Sequence, residues 1–463
     1  MFDFGDVLAD SPASIVALVV TLAACFYLRR KKAALFGLLL MLIPFDTVLK
    51  FSFGGPSISA PDLVIFYIAG LMLFNVPTRR PGVSSERFIL LRLIGVYSLA
   101  ILFVSILVHT PTAQGFSALL SRSLGVFVVL VTPTMLRSPK DLLVVMRFWS
   151  VGVLASCTVG VLQSVDLMPM VFGEVNRIGR SLLGFQLPFK RSVGIFSIYS
   201  YFGTYVLPFL AIALAMLSSR LSTSRLDFRL LATTIGLILL SVLITQSRST
   251  WLALVLSMLV LHTALSLASD SKLRLVNFSV ILLGLGLALI LAPGMLDVEL
   301  LVEGFVNMRK LSVDGRMEQW ALAYDLFKDN VLLGIGPKQY KVIDGDNVLH
   351  NMYLLILLEH GLLGGISMIA FVLLPAVYLW RTLGSMRHPV EVRVYSAAVF
   401  AGLVGIYCEV SFAGGLAYIS LWTTLGIGLA LSNMLPRTGR SRQIVGRAAP
   451  ASPGRRYQRR LPV

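Results

Sequence analysis

Residues 350–380 of the chain read HNMYLLILLEHGLLGGISMIAFVLLPAVYLW. From residue 352 onward this stretch carries a single charged side chain, Glu359, and it exceeds the roughly 20 apolar residues that a helix needs to cross a bilayer. Similar runs recur along the chain, of whose 463 residues 56% are hydrophobic and 14% charged. A soluble globular protein has roughly 25% charged residues. We therefore expect a polytopic membrane protein.

Thirteen segments fit this pattern, and twelve spans are also compatible because a short run such as 62–75 suits a half-membrane element. The predicted fold is an all-α membrane bundle of about 12–13 transmembrane helices. The predicted spans lie at about 14–28, 33–49, 62–75, 88–108, 116–136, 142–164, 196–217, 229–246, 249–267, 274–291, 352–380, 394–410 and 416–434.

Four parts follow from this pattern. We predict an N-terminal transmembrane bundle (1–291), an outer loop with an amphipathic helix (292–351), C-terminal transmembrane helices (352–434) and a basic tail (435–463). The three cysteines, Cys25, Cys157 and Cys408, fall inside apolar runs, so we interpret them as packing residues rather than as disulfide partners or metal ligands. The first apolar run is followed by RRKK, which does not resemble a signal-peptide cleavage site.

The basic residues orient this bundle. If the RRKK connector at 29–32 is cytoplasmic, the inner segments hold 27 of the 40 Lys and Arg, and the outer segments hold 12. This asymmetry follows the positive-inside rule, so the net charge of +17 does not call for a nucleic-acid partner. The tail from residue 435 would then lie inside, near anionic lipid. The N-terminus and the two longest polar connectors, 165–195 and 292–351, would lie outside.

Residues 315–328 within the longer connector alternate apolar and polar side chains at helical spacing. Trp320, Leu322, Ala323 and Leu326 share one face, which predicts a short helix at the membrane surface, ended by Asp329-Asn330. Residues 334–337, Gly-Ile-Gly-Pro, predict a turn. We interpret Asp344-Gly345-Asp346 as a polar turn rather than as a metal-binding Asp-x-Asp motif.

Four residues are candidates for chemistry because the topology brings them to the outer half of the bilayer: Arg122, Arg191, Arg248 and His350. Arginine forks suit phosphate oxygens, so Arg191 and Arg248 indicate an anionic ligand, with snorkelling at the interface as the alternative. Arg122 lies within a span and either joins the site or pairs with Glu409.

His350 is the natural general base, since a neutral imidazole can accept a proton near pH 7. Asn351 beside it is a candidate for substrate binding, while Glu359 and His360 are interpreted as residues packed within the bundle. Outside the inner membrane there is no supply of nucleotides. A sugar donor that binds there has to carry its own activating group, as a polyprenyl diphosphate. Cationic side chains would stabilise the departing diphosphate, so we expect neither a metal nor another cofactor.

These segments resemble the O-antigen ligase and polymerase family. The resemblance rests on an R…W…A segment, LLGIGPKQY (332–340) and HNMYLLILLEHGLLGG (350–365). Two weaker matches lie upstream, KRSVGIFSIYSYFGTYVLPFLAIAL (190–214) and TQSRSTWLALVLS (245–257). Together the matches cover about 170 residues between Lys190 and Gly365.

The resemblance implies a class C glycosyltransferase-like fold of about twelve helices in the bacterial inner membrane, with the active site facing the periplasm. It implies metal-independent, inverting transfer of a glycan from undecaprenyl diphosphate to an acceptor, either the lipid A–core or another lipid-linked glycan. Arg191 and Arg248 match the diphosphate-binding arginines, and His350 matches the catalytic histidine. The count of thirteen spans departs from the family's twelve.

Three hypotheses follow. The first is an O-antigen ligase that transfers the glycan to the lipid A–core. The second is a polymerase of O-antigen or exopolysaccharide repeats, which shares the donor and the motif. The third is a transporter of lipid-linked sugars, but we find neither the inverted repeats nor the interrupted helices at the midplane that transporters usually have.

Overall fold

The structure is a computed structural model that describes residues 12–46, 48–52, 57–74, 86–109, 111–168, 192, 194–196, 199–219, 224–245, 247–268, 315–344, 349–413 and 418–434. Within these ranges the chain is a bundle of α-helices. One short antiparallel pair of strands, β1 (Lys50–Ser52) and β2 (Ser57–Ser59), accompanies the bundle, with Phe51 paired to Ile58.

The helices follow one another through connectors that are mostly short in the described part of the chain. A single 3-10 turn, Ile43–Phe45, extends the second helix. The helices are α1 (Pro12–Leu28), α2 (Lys32–Leu42), α3 (Ala60–Phe74), α4 (Glu86–His109), α5 (Ala113–Met135), α6 (Pro139–Ser164), α7 (Tyr199–Ser219), α8 (Arg225–Thr245), α9 (Arg248–Ala268), α10 (315–329), α11 (Gln339–Ile343), α12 (Met352–Leu383), α13 (Val390–Phe412) and α14 (Ile419–Ser432).

Eight of these helices are long and apolar enough to cross a membrane: α4 to α9, α12 and α13. Four further helices, α1, α2, α3 and α14, are apolar but only 10–17 residues long. The predicted all-α membrane bundle is therefore confirmed. The predicted total of 12–13 spans stays a prediction, because four spans fall on the short helices and the span at 274–291 lies outside the described residues.

Helix α13 lies at the centre of the bundle, where it packs most extensively against α9 and α7 and also contacts α12 and α14. Around this centre, α5 packs on α14, α4 on α12, and α2 on α6. The largest fully buried side chains include Trp149, Trp422 and Tyr205. The Tyr205 hydroxyl donates to the Leu40 carbonyl at 2.9 Å, so this polar group is satisfied within the core.

The two ends of the bundle differ. We call the end with the connectors 29–31, 136–138 and 384–389 the basic end, and the end with the β-pair and residues 315–344 and 349–351 the loop end. At the basic end two helices begin with capping side chains. Ser138 forms a capping box with Asp141 at the start of α6, and the Ser224 hydroxyl donates to Asp227 at 2.8 Å at the start of α8. The irregular backbone described below is at the loop end.

Candidate functional site

Helix α10 packs onto the loop end through its apolar face. The helix ends at residue 329, where the predicted Asp329-Asn330 stop lies, and the Asn330 side chain donates to the Leu326 carbonyl at 3.0 Å. The predicted face is confirmed, because its members pack in one small hydrophobic cluster with buried residues of the following loop and of α12. This cluster contains Trp320, Leu322, Ala323, Leu326, Ile335, Tyr340, Leu349 and Leu358.

The segment after α10 enters the bundle. Residues 330–338, which we call the inserted loop, contain the predicted Gly334–Pro337 turn, and Gly334 and Gly336 have φ angles of 71° and 87°. The inserted loop lies against α4, since a Cβ on Gly336 would stand 3.7 Å from the Ser105 hydroxyl. Sequence analysis predicted the turn but not its entry between helices.

The inserted loop occupies a break in α12. In a continuous helix the Leu362 amide would donate to the Leu358 carbonyl; here the Leu362 amide donates to Val331 at 2.7 Å, and Leu358 accepts from Ile335 at 2.9 Å. The break lies at Gly361, whose φ of 63° and ψ of −170° are not helical. Two helical hydrogen-bonding groups are thus satisfied by the loop, as irregular backbone inside a membrane bundle requires.

Gly361 permits this arrangement because it has no side chain. A Cβ at this position would stand 2.3 Å from the Leu332 carbonyl oxygen, and a Cβ on Gly334 would stand 2.4 Å from the Gly361 nitrogen. The break lies about 13 Å along the helix from its start.

Three charged or titratable side chains meet beside the break. Arg122 of α5 donates to Glu359 and, at 2.6 Å, to Nε2 of His360. The other oxygen of Glu359 accepts the backbone N–H of Lys338 at 2.7 Å. Arginine has no acceptor, so Nε2 of His360 is unprotonated and this imidazole is neutral, with its proton on Nδ1. The cluster of Arg122, Glu359 and His360, which we call the buried triad, is 0–6% exposed.

The predicted pairing of Arg122 with Glu409 is wrong. Helix α5 packs mainly against α14, whereas Glu409 lies on α13, which packs mainly against α9 and α7. Glu409 instead accepts the hydroxyl groups of Ser249 at 3.0 Å and Thr250 at 3.3 Å through one oxygen. The depth of a residue along its span, which the sequence indicates, does not determine which helices are its neighbours.

His350 and Asn351 stand immediately before α12. The Asn351 side chain accepts the amides of Tyr353 and Leu354, both at 3.0 Å, and so caps the helix. Substrate binding by Asn351 stays a prediction. His350 is partly buried, and this burial, together with the positive charge of Arg316, lowers its pKa below the ordinary value of 6.5. The lowered pKa favours the neutral form of the imidazole, which can accept a proton.

Arg316 at the start of α10 is a residue whose influence sequence reasoning missed. It appeared only as the first residue of the R…W…A segment. The signal in the sequence was a cation four residues before Trp320 on the predicted helix. The structure packs that helix beside His350. The spacing placed it on the helix but gave no indication of the electrostatic interaction with a residue 34 positions later.

Arg248 begins α9, but its side chain lies outside the described residues, as does all of Arg191. Their neighbours are described. Ser192 is buried and donates to the Gln163 side chain at 2.7 Å, and Gly194 fits against the Ser156 carbonyl, from which a Cβ would stand 2.3 Å away. A meeting of both guanidinium groups with the His350 imidazole stays a prediction.

The end of α13 links the starts of α9 and α12. Glu409 binds Ser249 and Thr250 in the first turn of α9. Cys408, beside Glu409, interacts with Tyr353, which lies three residues after His350. The first turns of α9 and α12 therefore flank one helix at the loop end.

Asp344 takes part in a local contact. The Tyr340 hydroxyl donates to it at 3.0 Å, and burial together with this bond raises the pKa of Tyr340. Gly345 and Asp346 of the predicted polar turn lie outside the described residues. Within the part of the chain that the structure describes, no three His, Cys, Asp or Glu side chains are grouped in a way that could hold a metal ion.

The comparison with protein families bears on this end of the bundle. Residues 233–369 match the family model Wzy_C, O-antigen ligase. The match covers 137 of the 463 residues, so it shows a Wzy_C domain in this part of a membrane protein. The Wzy_C match includes Arg248, α10, the inserted loop, His350 and the break at Gly361, whereas Arg122 and Arg191 lie before it. A search of curated proteins found no match.

Proposed function

We propose that the chain is an O-antigen ligase that transfers a glycan from undecaprenyl diphosphate to the lipid A–core. We further propose that it lies in a bacterial inner membrane with the loop end facing the periplasm. The observation that carries the proposal is the place of His350, a partly buried imidazole immediately before α12 and within the Wzy_C match. Burial and the charge of Arg316 lower the pKa of this imidazole.

In the proposed reaction, an acceptor hydroxyl oxygen attacks the anomeric carbon of the donor from the face opposite the diphosphate. The His350 imidazole takes the hydroxyl proton. The bond between the anomeric carbon and the diphosphate oxygen breaks, and its electron pair leaves with undecaprenyl diphosphate. Arg191 and Arg248 would bind that anion and stabilise the charge that develops on it.

The arrangement of the described residues supports these roles. A general base contributes on the order of 10²–10⁴-fold to a rate and has to be unprotonated to act. The low pKa of His350 meets that condition at neutral pH. Arg248 stands in the first turn of α9, which contacts the same end of α13 as the first turn of α12 does. Asn351 fixes that turn of α12 by capping it.

The first test is the variant His350→Ala in the purified chain, with a polyprenyl-diphosphate glycan and a lipid A–core acceptor. We expect kcat to fall on the order of 10²–10⁴-fold while the protein stays monodisperse. Release of undecaprenyl diphosphate at the rate of the unaltered chain would remove His350 from the mechanism.

A repeat-unit polymerase is the second candidate, because it shares the donor and the sequence motif with the ligase. A deletion strain distinguishes the two. Lipopolysaccharide that stops at the core without any repeat indicates a ligase, and core with a single repeat indicates a polymerase. The deletion result does not bear on the role of His350, since both reactions need a base. The His350→Ala variant tests that role separately.

A further inference from the structure

The buried triad has no part in the proposed chemical step, although its position is costly. Arg122 and Glu359 are 6% and 3% exposed, and both lie within helices that are apolar enough to span a membrane. Charged side chains at such positions are rare, and replacing a buried ion pair with apolar residues often leaves stability unchanged or higher. A gain in overall stability therefore does not explain why the chain has this ion pair. The contacts of Glu359 show which parts of the structure the pair holds in place.

Glu359 joins three parts of the loop end. One of its oxygens accepts from Arg122 on α5, and the other accepts the Lys338 amide at the end of the inserted loop. Lys338 has a φ of 63°, a left-handed conformation that is unfavourable for a residue with a side chain. The hydrogen bond from the Lys338 amide to Glu359 therefore helps to hold this conformation, which Lys338 would leave if the bond were lost.

The inserted loop in turn joins the two segments of α12. The first segment, 352–360, is bound to it through the Leu358 carbonyl, and the second segment begins at Leu362, whose amide is bound to Val331. The helical hydrogen bond that would connect these segments directly is absent. The angle between them therefore depends on the loop that fills the break.

His350 stands at the far end of the first segment. The distance from the break is about 13 Å along the axis, so a tilt of roughly 5° would move the imidazole by about 1 Å. A displacement of about 1 Å at a reacting group can cost on the order of 10²-fold in rate. The position of the proposed base is thus sensitive to small changes at the buried triad.

We propose that Arg122, Glu359 and His360 are positioning residues, which hold the inserted loop in the break of α12 and thereby fix the direction of the helical segment that carries His350. Arg122 supplies the charge that Glu359 needs, and the neutral His360 accepts the second arm of the guanidinium and fixes its orientation. The inference rests on the proposed function, because it assigns to these residues the placement of that reaction's base.

The experiment measures docking and catalysis separately in the full-length chain. Ile335 of the inserted loop is only 6% exposed, so a cysteine placed there reports on docking through its rate of reaction with a soluble maleimide. The native cysteines Cys25, Cys157 and Cys408 are first replaced by alanine. Turnover is followed as release of undecaprenyl diphosphate, with kcat and KM for the donor determined for each variant.

Glu359→Ala removes both bonds of the carboxylate. We expect labelling at position 335 to rise at least about tenfold and kcat to fall on the order of 10²-fold, while KM for the donor changes less than about twofold. Glu359→Gln keeps an acceptor for the Lys338 amide, so its labelling and kcat should lie between those of the alanine variant and the unaltered chain. This graded rescue would not follow from a general loss of packing, and the Gln variant carries the test if the alanine variant does not fold.

Asp325→Asn is the matched control, since Asp325 forms an exposed ion pair with Lys328 on α10. Both readouts should be unchanged in this variant. Fast labelling with normal kcat in Glu359→Ala would overturn the inference, because docking would then not position the base. A fall in kcat with position 335 still protected would overturn it as well. Turnover by His350→Ala at the rate of the unaltered chain would instead remove His350 from the proposed mechanism, while the labelling result would still decide whether the triad holds the loop.

Discussion

Each end of the bundle has an ion pair between an arginine and a carboxylate of two different helices, but the two pairs have different surroundings. At the basic end Arg147 forks onto Asp227 with distances of 2.7 and 2.9 Å, and the Arg147 side chain is 51% exposed. At the loop end the side chains of Arg122 and Glu359 are 7% and 3% exposed. The same chemistry therefore connects two regular helices at a surface in one case and supports a break inside the bundle in the other.

The partners of the two carboxylates explain this difference. Asp227 also accepts from the Ser224 amide and hydroxyl, three residues before it, so it stays satisfied without its arginine. Glu359 has the Lys338 amide as its other partner, and it is buried. Asp227 thus keeps a partner three residues away, whereas Glu359 depends on partners that lie 21 and 237 positions away.

The largest predicted effect is on stability. Arg122→Leu leaves a buried carboxylate without its counter-charge and should lower the free energy of unfolding by about 3–5 kcal/mol. Arg147→Leu should lower it by less than about 1 kcal/mol, because that pair is half exposed and Asp227 keeps its other partners. Reversible unfolding in mixed detergent micelles measures both. Equal losses for the two variants would contradict the distinction between the two ends.

Two glycines provide a second comparison, with a smaller effect. Gly361 has a backbone conformation that is nearly restricted to glycine, and a Cβ there would meet the Leu332 carbonyl oxygen at 2.3 Å. Gly361→Ala should therefore cost roughly 1–3 kcal/mol and expose the inserted loop. Gly236 lies within α8 and a Cβ there would meet nothing within 4 Å, so Gly236→Ala should stabilise the protein by roughly 0.5–1 kcal/mol.

Thermal unfolding of both glycine variants, followed by size-exclusion chromatography at each temperature, measures this pair. Gly236→Ala is the control for the general effect of adding a methyl group to a membrane helix. An unchanged unfolding temperature in Gly361→Ala would mean that the break in α12 adapts to a side chain. This result would weaken the comparison between the two ends.

The regular parts of the fold were predictable from the sequence because their causes are local. The apolar runs gave the helices, the amphipathic spacing of residues 315–328 gave α10 and its buried face, and Gly334–Pro337 gave the turn. Asp329-Asn330 likewise marked the end of α10. Each of these features depends on residues within one or two helical turns of one another.

The break in α12 and the buried triad were not predictable in this way. Gly361 lies in an apolar run that is long enough for an unbroken helix, and its break becomes favourable only when the inserted loop supplies the hydrogen bonds. The correct partner of Arg122 is 237 residues away, and helix depth alone suggested Glu409 equally well. Single-sequence patterns indicate how far along a helix a charge lies, but not which neighbouring helix it faces.

The smallest predicted effect concerns the pH dependence of turnover at the loop end. His350 acts as a base only when unprotonated, so the rate falls as the pH drops through its pKa. Burial and the positive charge of Arg316 both lower that pKa below 6.5, which places the acid limb of the rate profile below pH 6.5. Arg316→Gln removes the second cause, so the pKa should rise and the acid limb should move to higher pH, with little change above neutrality. Lys328→Gln removes the same charge from an exposed position on the same helix and should leave the limb in place. An acid limb that stays fixed in Arg316→Gln, or moves to lower pH, would show that the titrating base is not the histidine beside α10.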